Sequence, residues 1–462
     1  MVNLAKENER KRAWLPCQNA SAPPKSFICP SCWEEFGLGQ VCWIAEKVKG
    51  DSHFHDKYEG TRFFPKHFRK SNDRIYAIDE EGGLCERLAC PHCHLEFPPR
   101  YLETKPFTVS IVGATDTGKS FYLLALQDRL SKELGKYNLL YTDSQTHNNK
   151  QLKERCRKLF SGEGADREGR RQYVPTSGDF GGTDKGDFVA EILKEVKGKP
   201  GKREPYTYPK PFIYFLSPSD QSLARSLCLY DHAGERFMEE GMKDPNAPVT
   251  GHLRKSDAIF FVFDPTQIDV FIEDANLNPR GDQSQKNVYN NSMDIFEGMT
   301  KYSIKGHYDG TFVVLVTKCD EWMAKGRTTS KFWKDIWNDP RWLSKEAETA
   351  LRPVGNTSSP GPLSRDNKLL LNILWEISDL VEQYITELYP QFTNAVKLFC
   401  ARGGKQLDVI YVPVSATGVS PRKIGGENGF YVEELNPQWV EVPFLYALAK
   451  HGLMAVKKDV NF

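Results

Sequence analysis

Short runs of apolar residues recur from position 107 onwards, and longer segments with helical periodicity separate them. Near-continuous apolar runs of this length are typical of strands that are covered on both faces of a sheet. Their alternation with helical segments predicts an α/β fold with a mostly parallel sheet and helices on both faces. The predicted strands are 107–112, 211–217, 226–230, 257–263, 311–316 and 408–414. The predicted helices are 119–134, about 284–304, about 330–338, 367–389 and 442–455.

Proline steps and a change in composition divide the chain into three parts. We expect a polar leader at 1–24, a cysteine- and aromatic-rich domain at 25–103, and the α/β domain at 104–462. Two stretches, about 135–210 and 344–366, interrupt the alternation of strands and helices. They are longer than ordinary connections, so both are predicted to be insertions.

Composition narrows the functional classes. A chain of 462 residues exceeds the size at which one core keeps growing, which agrees with two domains. The formal net charge of +1 supplies no overall attraction to nucleic acid or to a membrane surface. The N-terminus lacks the apolar stretch of a signal peptide, and no run approaches a membrane span. We therefore expect a cytoplasmic protein that does not bind membranes.

The first predicted strand leads into the most informative motif. Gly113-Ala-Thr-Asp-Thr-Gly-Lys-Ser120 matches G-x-x-x-x-G-K-[ST] and opens an apolar helix. Glycines let successive backbone N–H groups curl around a phosphate at the helix N-terminus. Lys119 can reach the outer phosphates and Ser120 can ligate Mg²⁺. The residues assigned to phosphate binding are Gly113, Ala114, Thr115, Asp116, Thr117, Gly118, Lys119, Ser120 and Phe121.

A second motif follows the strand at 226–230. Asp231-His-Ala-Gly234 gives D-x-x-G at the C-terminal end of that strand. Ligands of open α/β sheets bind at this edge. Asp231 can hold Mg²⁺ through a water, and the backbone N–H of Gly234 can contact a γ-phosphate. A loop that touches the γ-phosphate only when it is present can act as a switch.

The segment after the strand at 311–316 concerns the base of the nucleotide. Thr317-Lys-Cys-Asp320 gives T-K-x-D. The carboxylate of Asp320 can accept hydrogen bonds from the adjacent N1–H and N2–H of guanine, which adenine does not offer. A buried carboxylate left without these donors is costly, so such a site rejects adenine. The aliphatic stem of Lys318 can cover the base and the ribose.

The last predicted strand ends in Ser415-Ala416-Thr417. The backbone N–H of Ala416 can meet the O6 atom of guanine, and the small side chain permits that approach. This motif is short, and its meaning depends on the three motifs that precede it.

In this order, G-x-x-x-x-G-K-S, D-x-x-G, T-K-x-D and S-A resemble the TRAFAC class of Ras-like, translation-factor-related GTPases. The resemblance covers residues 107 to about 455. The insertions, the cysteine-rich front end and the segment 436–445 resemble bacterial double-GTPase proteins of conflict and phage-defence systems. The resemblance implies a P-loop GTPase fold, GTP or GDP and Mg²⁺ as cofactors, and a molecular switch whose state a protein effector or regulator recognises. A nucleotide-dependent homo- or hetero-oligomer is also implied.

The chain departs from the Ras-like arrangement where the attacking water is positioned. Glu235 stands where Ras-like enzymes usually carry glutamine, and its charge opposes the γ-phosphate. We therefore expect slow intrinsic GTP hydrolysis, with His232 as another candidate for the catalytic role. The switch threonine that would ligate Mg²⁺ is assigned to Thr176, with Thr183 and Thr207 as alternatives.

Two cysteine pairs predict a metal centre in the N-terminal domain. Cys29-Pro-Ser-Cys32 and Cys90-Pro-His-Cys93 each turn two thiolates towards one point, and together they complete a tetrahedral zinc site. Four protein ligands leave no open position, so this Zn²⁺ is expected to be structural, in a zinc-ribbon-like domain. An additional site stays open as an alternative, drawn from Cys17, Cys42, Cys85, His53 and His55.

Two other functions remain as alternatives. The segment 57–70 interleaves basic and aromatic residues, as a nucleic-acid-binding surface would, with NTP hydrolysis regulatory or incidental. A P-loop enzyme that uses ATP is the other, and Asp320 argues against it. For the zinc-binding domain we favour docking of a protein over binding of nucleic acid.

Overall fold

The structure is a computed structural model that describes most of the N-terminal domain and of the central sheet. The described residues are 26–45, 60–71, 74–114, 117–160, 171–173, 189–195, 201–218, 224–231, 248–277, 286–304, 308–323, 331, 344–347, 369–402, 407–419, 422–423, 430–432, 435–454 and 456–457. The predicted leader at 1–24, nearly all of the helix at about 330–338 and most of the insertion at 344–366 lie outside them. No described helix is long and apolar enough to cross a membrane.

Nine short strands, all paired antiparallel, form the cysteine-rich region. They are β1 (Ser26–Ile28), β2 (Glu35–Gly37), β3 (Cys42–Ala45), β4 (Thr61–Phe63), β5 (His67–Ser71), β6 (Arg74–Ile78), β7 (Leu84–Cys85), β8 (Arg87–Ala89) and β9 (Glu96–Phe97). The sheets are β1-β2, β4-β3-β8-β9 and β5-β6-β7. Each cysteine pair lies in the turn of a hairpin, between β1 and β2 or between β8 and β9.

The remaining strands include the central sheet. They are β10 (Lys105–Gly113), β11 (Leu139–Asp143), β12 (Arg171–Tyr173), β13 (Val189–Glu195), β14 (Arg203–Pro209), β15 (Phe212–Pro218), β16 (Arg225–Asp231), β17 (Ala258–Phe263), β18 (Thr311–Val316), β19 (Leu369–Leu370), β20 (Val409–Pro413), β21 (Arg422–Lys423), β22 (Phe430–Val432) and β23 (Val456–Lys457). The seven-stranded sheet has the order β11-β15-β16-β10-β17-β18-β20. Strands β16, β10, β17, β18 and β20 are parallel, which confirms a mostly parallel α/β sheet.

Strands β15 and β11 are the exceptions, because both join the sheet antiparallel. A short connection from β15 to β16 (residues 219–224) makes this pairing favourable, since parallel neighbours need a long crossover. The sequence predicted a strand at 211–217 but not its direction. Strands β13 and β14 form a separate antiparallel hairpin inside the predicted insertion 135–210.

The described helices are α1 (Lys119–Glu133), α2 (His147–Phe160), α3 (Pro248–Lys255), α4 (Asp269–Asp274), α5 (Lys286–Gly298), α6 (Cys319–Trp322), α7 (Leu371–Leu388), α8 (Pro390–Cys400) and α9 (Val442–Lys450). Helices α1, α5, α7 and α9 lie where the sequence predicts them. A π-helical turn extends α5 through Met299–Ser303, so the predicted helix at about 284–304 changes its hydrogen bonding before it ends. Helices α3, α4, α6 and α8 were not predicted.

An aromatic cluster fills the core around β17. Every residue of β17 and β18 is buried, as their continuous apolar runs predict. Phe392 of α8 stacks on Phe263 with ring centroids 4.5 Å apart, and it also contacts Phe261 and Phe296 at 5.7 Å each. Offset and edge-on ring contacts of this kind add to the free energy gained from burying apolar area.

The sheet is covered differently on its two faces. Successive residues of a strand point to opposite faces, and Leu227 and Leu229 of β16 join the main core. Cys228 and Tyr230 face the other way, where they pack with Ile192 of β13 and with the four cysteines of the predicted zinc site. We call the two turns that carry these cysteines, Cys29–Cys32 and Cys90–Cys93, the knuckles. The predicted cover of helices on both faces is therefore incomplete, because the zinc-ribbon-like region and the β13-β14 hairpin cover β15 and β16 on the second face.

Replacing Phe392 by alanine is expected to lower the free energy of unfolding by about 3 to 5 kcal/mol, because it leaves a cavity in the aromatic cluster. Chemical denaturation followed by tryptophan fluorescence measures this loss. The matched control is Phe64→Ala, since Phe64 is 62% exposed and its removal should change stability by less than about 0.5 kcal/mol. Equal losses in the two variants would contradict the placement of Phe392 in the core.

Candidate functional site

The loop between β10 and α1 has the backbone expected of a phosphate cradle. A Cβ atom on Gly113 would lie 2.7 Å from the carbonyl oxygen of Val262, so only glycine permits the close approach of β17. Gly118 has a φ of 91°, a left-handed conformation that favours glycine, and α1 begins at the next residue. Thr115 and Asp116 lie outside the described residues.

Lys119 and Thr117 hold this loop together from within. The Nζ atom of buried Lys119 donates hydrogen bonds to the carbonyl oxygens of Gly113, at 2.8 Å, and of Ala114. Thr117 Oγ1 donates to the same Ala114 oxygen at 2.8 Å. The lysine amine therefore lies inside the curve of the loop, at the place from which it can reach an anion.

Two oxygen ligands for a divalent cation lie on neighbouring elements. Asp231 is the buried last residue of β16 and is paired in register with Ile111 of β10. Ser120 is in the first turn of α1, which follows the loop from β10. A carboxylate and a hydroxyl oxygen are hard donors that suit Mg²⁺. The other residues assigned to this part of the site, His232, Gly234, Glu235 and Thr176, lie outside the described residues.

Thr317 joins the third motif to the phosphate loop. Its hydroxyl donates to the carbonyl oxygen of Thr117 at 2.9 Å and lies 3.3 Å from that of Phe263. The indole Nε1 of Trp322 donates to the carbonyl oxygen of Thr317 at 2.9 Å, which fixes the start of α6. Asp320 lies half-buried in the first turn of α6. The T-K-C-D segment is thus held at a fixed place beside the cradle.

Lys318 has a partner that the sequence analysis missed. Its backbone has a φ of 56°, and its amine forms an ion pair with the buried carboxylate of Asp264. Asp264 also accepts hydrogen bonds from the backbone N–H and hydroxyl of Thr266, at 2.9 and 2.8 Å. Asp264 directly follows β17, so the rule that functional side chains follow parallel strands could have found it.

The last motif lies against the third. The backbone N–H of Cys319 donates to the carbonyl oxygen of Val414 at 3.2 Å, which ties the start of α6 to the end of β20. Buried Ser415 follows, and its hydroxyl accepts a hydrogen bond from the N–H of Gly418 at 2.8 Å. Ala416 and Thr417 are half-buried at the rim. The described parts of all four motifs lie at the carboxyl ends of parallel strands.

The four knuckle cysteines converge on one buried point. Cys29 Sγ lies 3.6 Å from Cys93 Sγ, Cys32 Sγ lies 3.7 Å from Cys90 Sγ, and all four sulfurs lie within 4.8 Å of one another. A tetrahedral zinc with Zn–S bonds of about 2.3 Å requires sulfur separations of about 3.8 Å. The donor set and its geometry therefore fit a zinc ion, and the cluster leaves no place for a substrate ligand.

The two knuckles share one backbone design. The N–H of Trp33 donates to the carbonyl oxygen of Cys29, and that of His94 to Cys90, at 3.1 and 2.9 Å. Trp33 and His94 both have left-handed backbones, with φ of 64° and 62°. Exposed His92 donates its backbone N–H to Cys90 Sγ at 3.3 Å, and its ring lies on the surface rather than among the ligands.

Burial and mutual hydrogen bonds shift the pKa of three of the thiols, those of Cys29, Cys90 and Cys93. Burial raises the pKa of Cys29 and of Cys93, which opposes the thiolate form. Hydrogen bonds from Cys29 and the other thiols lower the pKa of Cys90, so the negative charge collects there. Thiolates buried this close together would repel one another, and a bound divalent cation would remove this cost. No other group of three or more metal-ligating side chains occurs within the described ranges, which exclude Cys17, His53 and His55.

The first knuckle packs directly on the central sheet. The hydroxyl of Tyr230 donates to the carbonyl oxygen of Pro30, and the rings of Trp33 and Tyr230 lie 5.5 Å apart. Lys255 Nζ, at the end of α3, donates to the carbonyl oxygen of Trp33 at 3.0 Å. The hairpin that carries Cys29 and Cys32 therefore contacts the residue that precedes Asp231 and the helix α3 that begins at Pro248.

Comparisons with known proteins add little to this geometry. No protein-family model matches the chain, and no curated protein matches it. Among solved structures, it is similar to the bacterial selenocysteine-specific elongation factor EF-Sec, with 11% identity, a TM-score of 0.19 and coverage of 68% of this chain and 26% of that one. It is also similar to the S. cerevisiae Ski7 GTPase-like domain bound to GTP, with 10% identity, a TM-score of 0.25 and coverage of 75% and 50%. The chain spans half or less of each, and TM-scores this low carry no argument about function.

The metal centre can be tested by metal analysis of the purified chain. We expect about one zinc per chain, and Cys90→Ser should remove most of it because three thiolates and a hydroxyl hold zinc poorly. The matched control is Cys156→Ser, since Cys156 is a buried cysteine in α2 far from the cluster in sequence. A wild-type chain without zinc, or equal zinc in both variants, would contradict this assignment.

Proposed function

We propose that this chain is a GTP-binding molecular switch with slow, magnesium-dependent GTP hydrolysis. One observation carries the proposal, the hydrogen bond of 2.9 Å from Thr317 Oγ1 to the carbonyl oxygen of Thr117. It joins a loop suited to phosphates to a loop suited to a purine, at the sheet edge where open α/β folds bind ligands. The order of the four motifs along the chain supports the same reading.

In this proposal the polyphosphate occupies the cradle from Gly113 to Ser120. Backbone N–H groups and the positive end of α1 stabilise the phosphate charge, and Lys119 turns from its two carbonyl partners towards the outer phosphates. Ser120 and Asp231 hold Mg²⁺, with Thr176 as a further ligand in the GTP-bound state. When bound, Mg²⁺ neutralises charge on the phosphates during hydrolysis.

The base is proposed to bind between the third and fourth motifs. Asp320 accepts hydrogen bonds from guanine N1–H and N2–H, and the N–H of Ala416 donates to O6. Lys318 covers the base with its stem while its amine stays on Asp264. An ATP-using enzyme is disfavoured, because adenine offers Asp320 no matching pair of donors.

Hydrolysis is proposed to be slow. Water attacks the γ-phosphorus, the bond to the bridging oxygen breaks, and GDP and inorganic phosphate leave. Glu235 stands where the water would be oriented, and its negative charge raises the energy of the anionic transition state. His232 is the other group proposed to orient or deprotonate the water.

The nucleotide state is proposed to be read by a partner protein in the cytoplasm, with homo- or hetero-oligomerisation following the nucleotide. Support comes from the contacts of the first knuckle with Tyr230 and Lys255, on either side of the D-x-x-G loop. The first knuckle therefore contacts the two elements, β16 and α3, that flank residues 232–247 in the chain. A place in a bacterial conflict or phage-defence system is the finer proposal, and it rests on the resemblance of the sequence alone.

A nucleic-acid-binding role is the second candidate, and a surface observation supports it. Phe64 and Phe68 are 62% and 56% exposed, next to exposed Lys66, Arg69 and Lys70. Aromatic and basic side chains together suit stacking on bases and contact with phosphates. Binding to single-stranded oligonucleotides with a steep dependence on salt would favour this role, and no binding at low salt would exclude it.

The proposed base recognition is tested by Asp320→Asn. Wild type should bind GDP far more tightly than ADP in isothermal titration calorimetry. The variant should lose about tenfold to a hundredfold in affinity for GDP, the value of a hydrogen bond to a charged group. It should gain affinity for XDP, because the C2 oxygen of xanthine can accept a hydrogen bond from the asparagine amide.

The matched control is Asp294→Asn, which changes an exposed aspartate of α5. Its base preference should equal that of wild type. Tighter binding of ADP than of GDP by wild type, or an unchanged preference in Asp320→Asn, would overturn the proposed function.

A further inference from the structure

A segment before α9, residues 435–441, pairs with the Ser415-Ala416-Thr417 loop of the candidate base site, and we call it the strap. The backbone N–H of Gln438 donates to the carbonyl oxygen of Ser415 at 2.7 Å, and the backbone N–H of Ser415 donates to the carbonyl oxygen of Gln438 at 3.0 Å. The N–H of Asn436 donates to the carbonyl oxygen of Thr417 at 2.8 Å. At Gly418, with a φ of 74°, a Cβ atom would overlap the Asn436 carbonyl oxygen. The strap therefore fixes the backbone of the Ser415-Ala416-Thr417 loop on both sides of Ala416.

The strap is itself held by α1, the helix that starts at the phosphate loop. Tyr122 OH donates to the carbonyl oxygen of Val440 at 3.0 Å. Arg129 Nη2 donates to the carbonyl oxygen of Pro437 at 2.9 Å. The position of the loop that carries Ala416 is thus tied, through the strap, to the helix that begins at the candidate phosphate site.

The side chain of Gln438 reaches the other base-binding loop. Its Oε1 atom accepts a hydrogen bond from Cys319 Sγ at 3.7 Å, and Cys319 is the neighbour of Asp320 in the chain. Burial raises the pKa of the Cys319 thiol well above its usual value, so the thiol keeps its proton and donates. A single residue therefore contacts the Asp320 loop by its side chain and the Ala416 loop by its backbone.

A contribution to the stability of the fold does not account for the carboxamide of Gln438. Gln438 is 8% exposed, and its Nε2 atom is buried with no hydrogen-bond partner among the described residues. A buried amide donor without a partner costs free energy, and an apolar side chain of the same shape would avoid that cost. Local costs of this kind are expected at functional sites.

We propose that Gln438 is a positioning residue that sets the spacing between the Asp320 carboxylate and the Ala416 N–H, and thereby the selectivity for guanine. The inference rests on the proposed function, because it concerns the same base site. Gln438 touches the two loops that read the base, and it acts on the base through them. Replacing Gln438 should weaken the hydrogen bond between the 2-amino group of guanine and the Asp320 carboxylate, and it should leave the phosphate site unaffected.

The test compares GDP with IDP, which lacks the 2-amino group, by calorimetry on the full chain. The dissociation constant of IDP divided by that of GDP measures the strength of the hydrogen bond from N2–H to Asp320. In Gln438→Met, which keeps size and backbone pairing, the ratio should fall at least about threefold, the lower range of coupling between residues in contact. The thermal unfolding midpoint should stay equal or rise, because the unsatisfied amide is gone. A merely structural glutamine would instead lower the midpoint and leave the ratio unchanged.

Two Cys319 variants repeat the test from the other side. Cys319→Ala removes the donor to Gln438 and should lower the ratio as Gln438→Met does, with no further loss in the double variant. Cys319→Ser keeps a donor and should retain the wild-type ratio. The matched control is Gln383→Met, on a half-buried glutamine of α7 whose amide donates to Glu387 at 2.6 Å.

The outcomes separate this inference from the proposed function. If wild type fails to prefer GDP over IDP, the proposed reading of the base by Asp320 is wrong, and the role of Gln438 falls with it. If wild type shows that preference and both Gln438→Met and Cys319→Ala keep its full ratio, the positioning role alone is overturned. Should Gln438→Met fail to fold, the comparison of Cys319→Ala with Cys319→Ser decides the question.

Discussion

The hydrogen bond between Thr317 and the carbonyl oxygen of Thr117 joins residues 200 positions apart, and the candidate site depends on it. It requires β10, β17 and β18 to be adjacent and parallel, because only then do the loops after β10 and β18 meet at one edge. The Thr317 hydroxyl also lies 3.3 Å from the carbonyl oxygen of Phe263, at the end of the strand between them. One buried hydroxyl therefore bridges the ends of three strands. Its loss would remove the donor to the Thr117 carbonyl oxygen, whereas the Phe263 oxygen would keep the backbone N–H of Thr317 at 2.9 Å.

The same close spacing explains the other constraints at this edge. Gly113 must lack a side chain because β17 passes its backbone at Val262. Asp264, at the end of β17, is fully buried and needs the charge of Lys318 and the hydrogen bonds of Thr266 to be tolerated there. Val262, Asp264 and Thr266, which are assigned no ligand contact, thus help to decide where the candidate ligand-binding loops lie.

Features that depend on local sequence were predictable, and features that depend on distant contacts were not. The strands at 257–263 and 311–316 are continuous apolar runs, so their burial could be predicted from composition alone. The motif from Gly113 to Ser120 could be recognised in the sequence, and one of its glycines, Gly118, is required by its own left-handed backbone. Gln438 carried no such signal, since its partners Ser415 and Cys319 come together only in the folded sheet.

The packing of the cysteine-rich region on β16 could not be predicted from the local sequence either, and it shows why the cysteine cluster matters for the sheet. The run at 226–230 predicted a strand buried on both faces, but no local pattern says that a cysteine-rich region, rather than a helix, covers Tyr230. The knuckle hairpins have strands of only two or three residues, too short to form a stable core alone. A bound metal ion would supply that stability, so the surface presented to Tyr230 would depend on it. Tyr230 precedes Asp231 and stacks on His252 of α3, with ring centroids 4.9 Å apart, so the cysteine cluster packs beside the residue that leads into the D-x-x-G motif. Zinc binding and the packing of Tyr230 are therefore expected to be thermodynamically linked, since the same hairpin holds the metal ligands and contacts the Tyr230 ring.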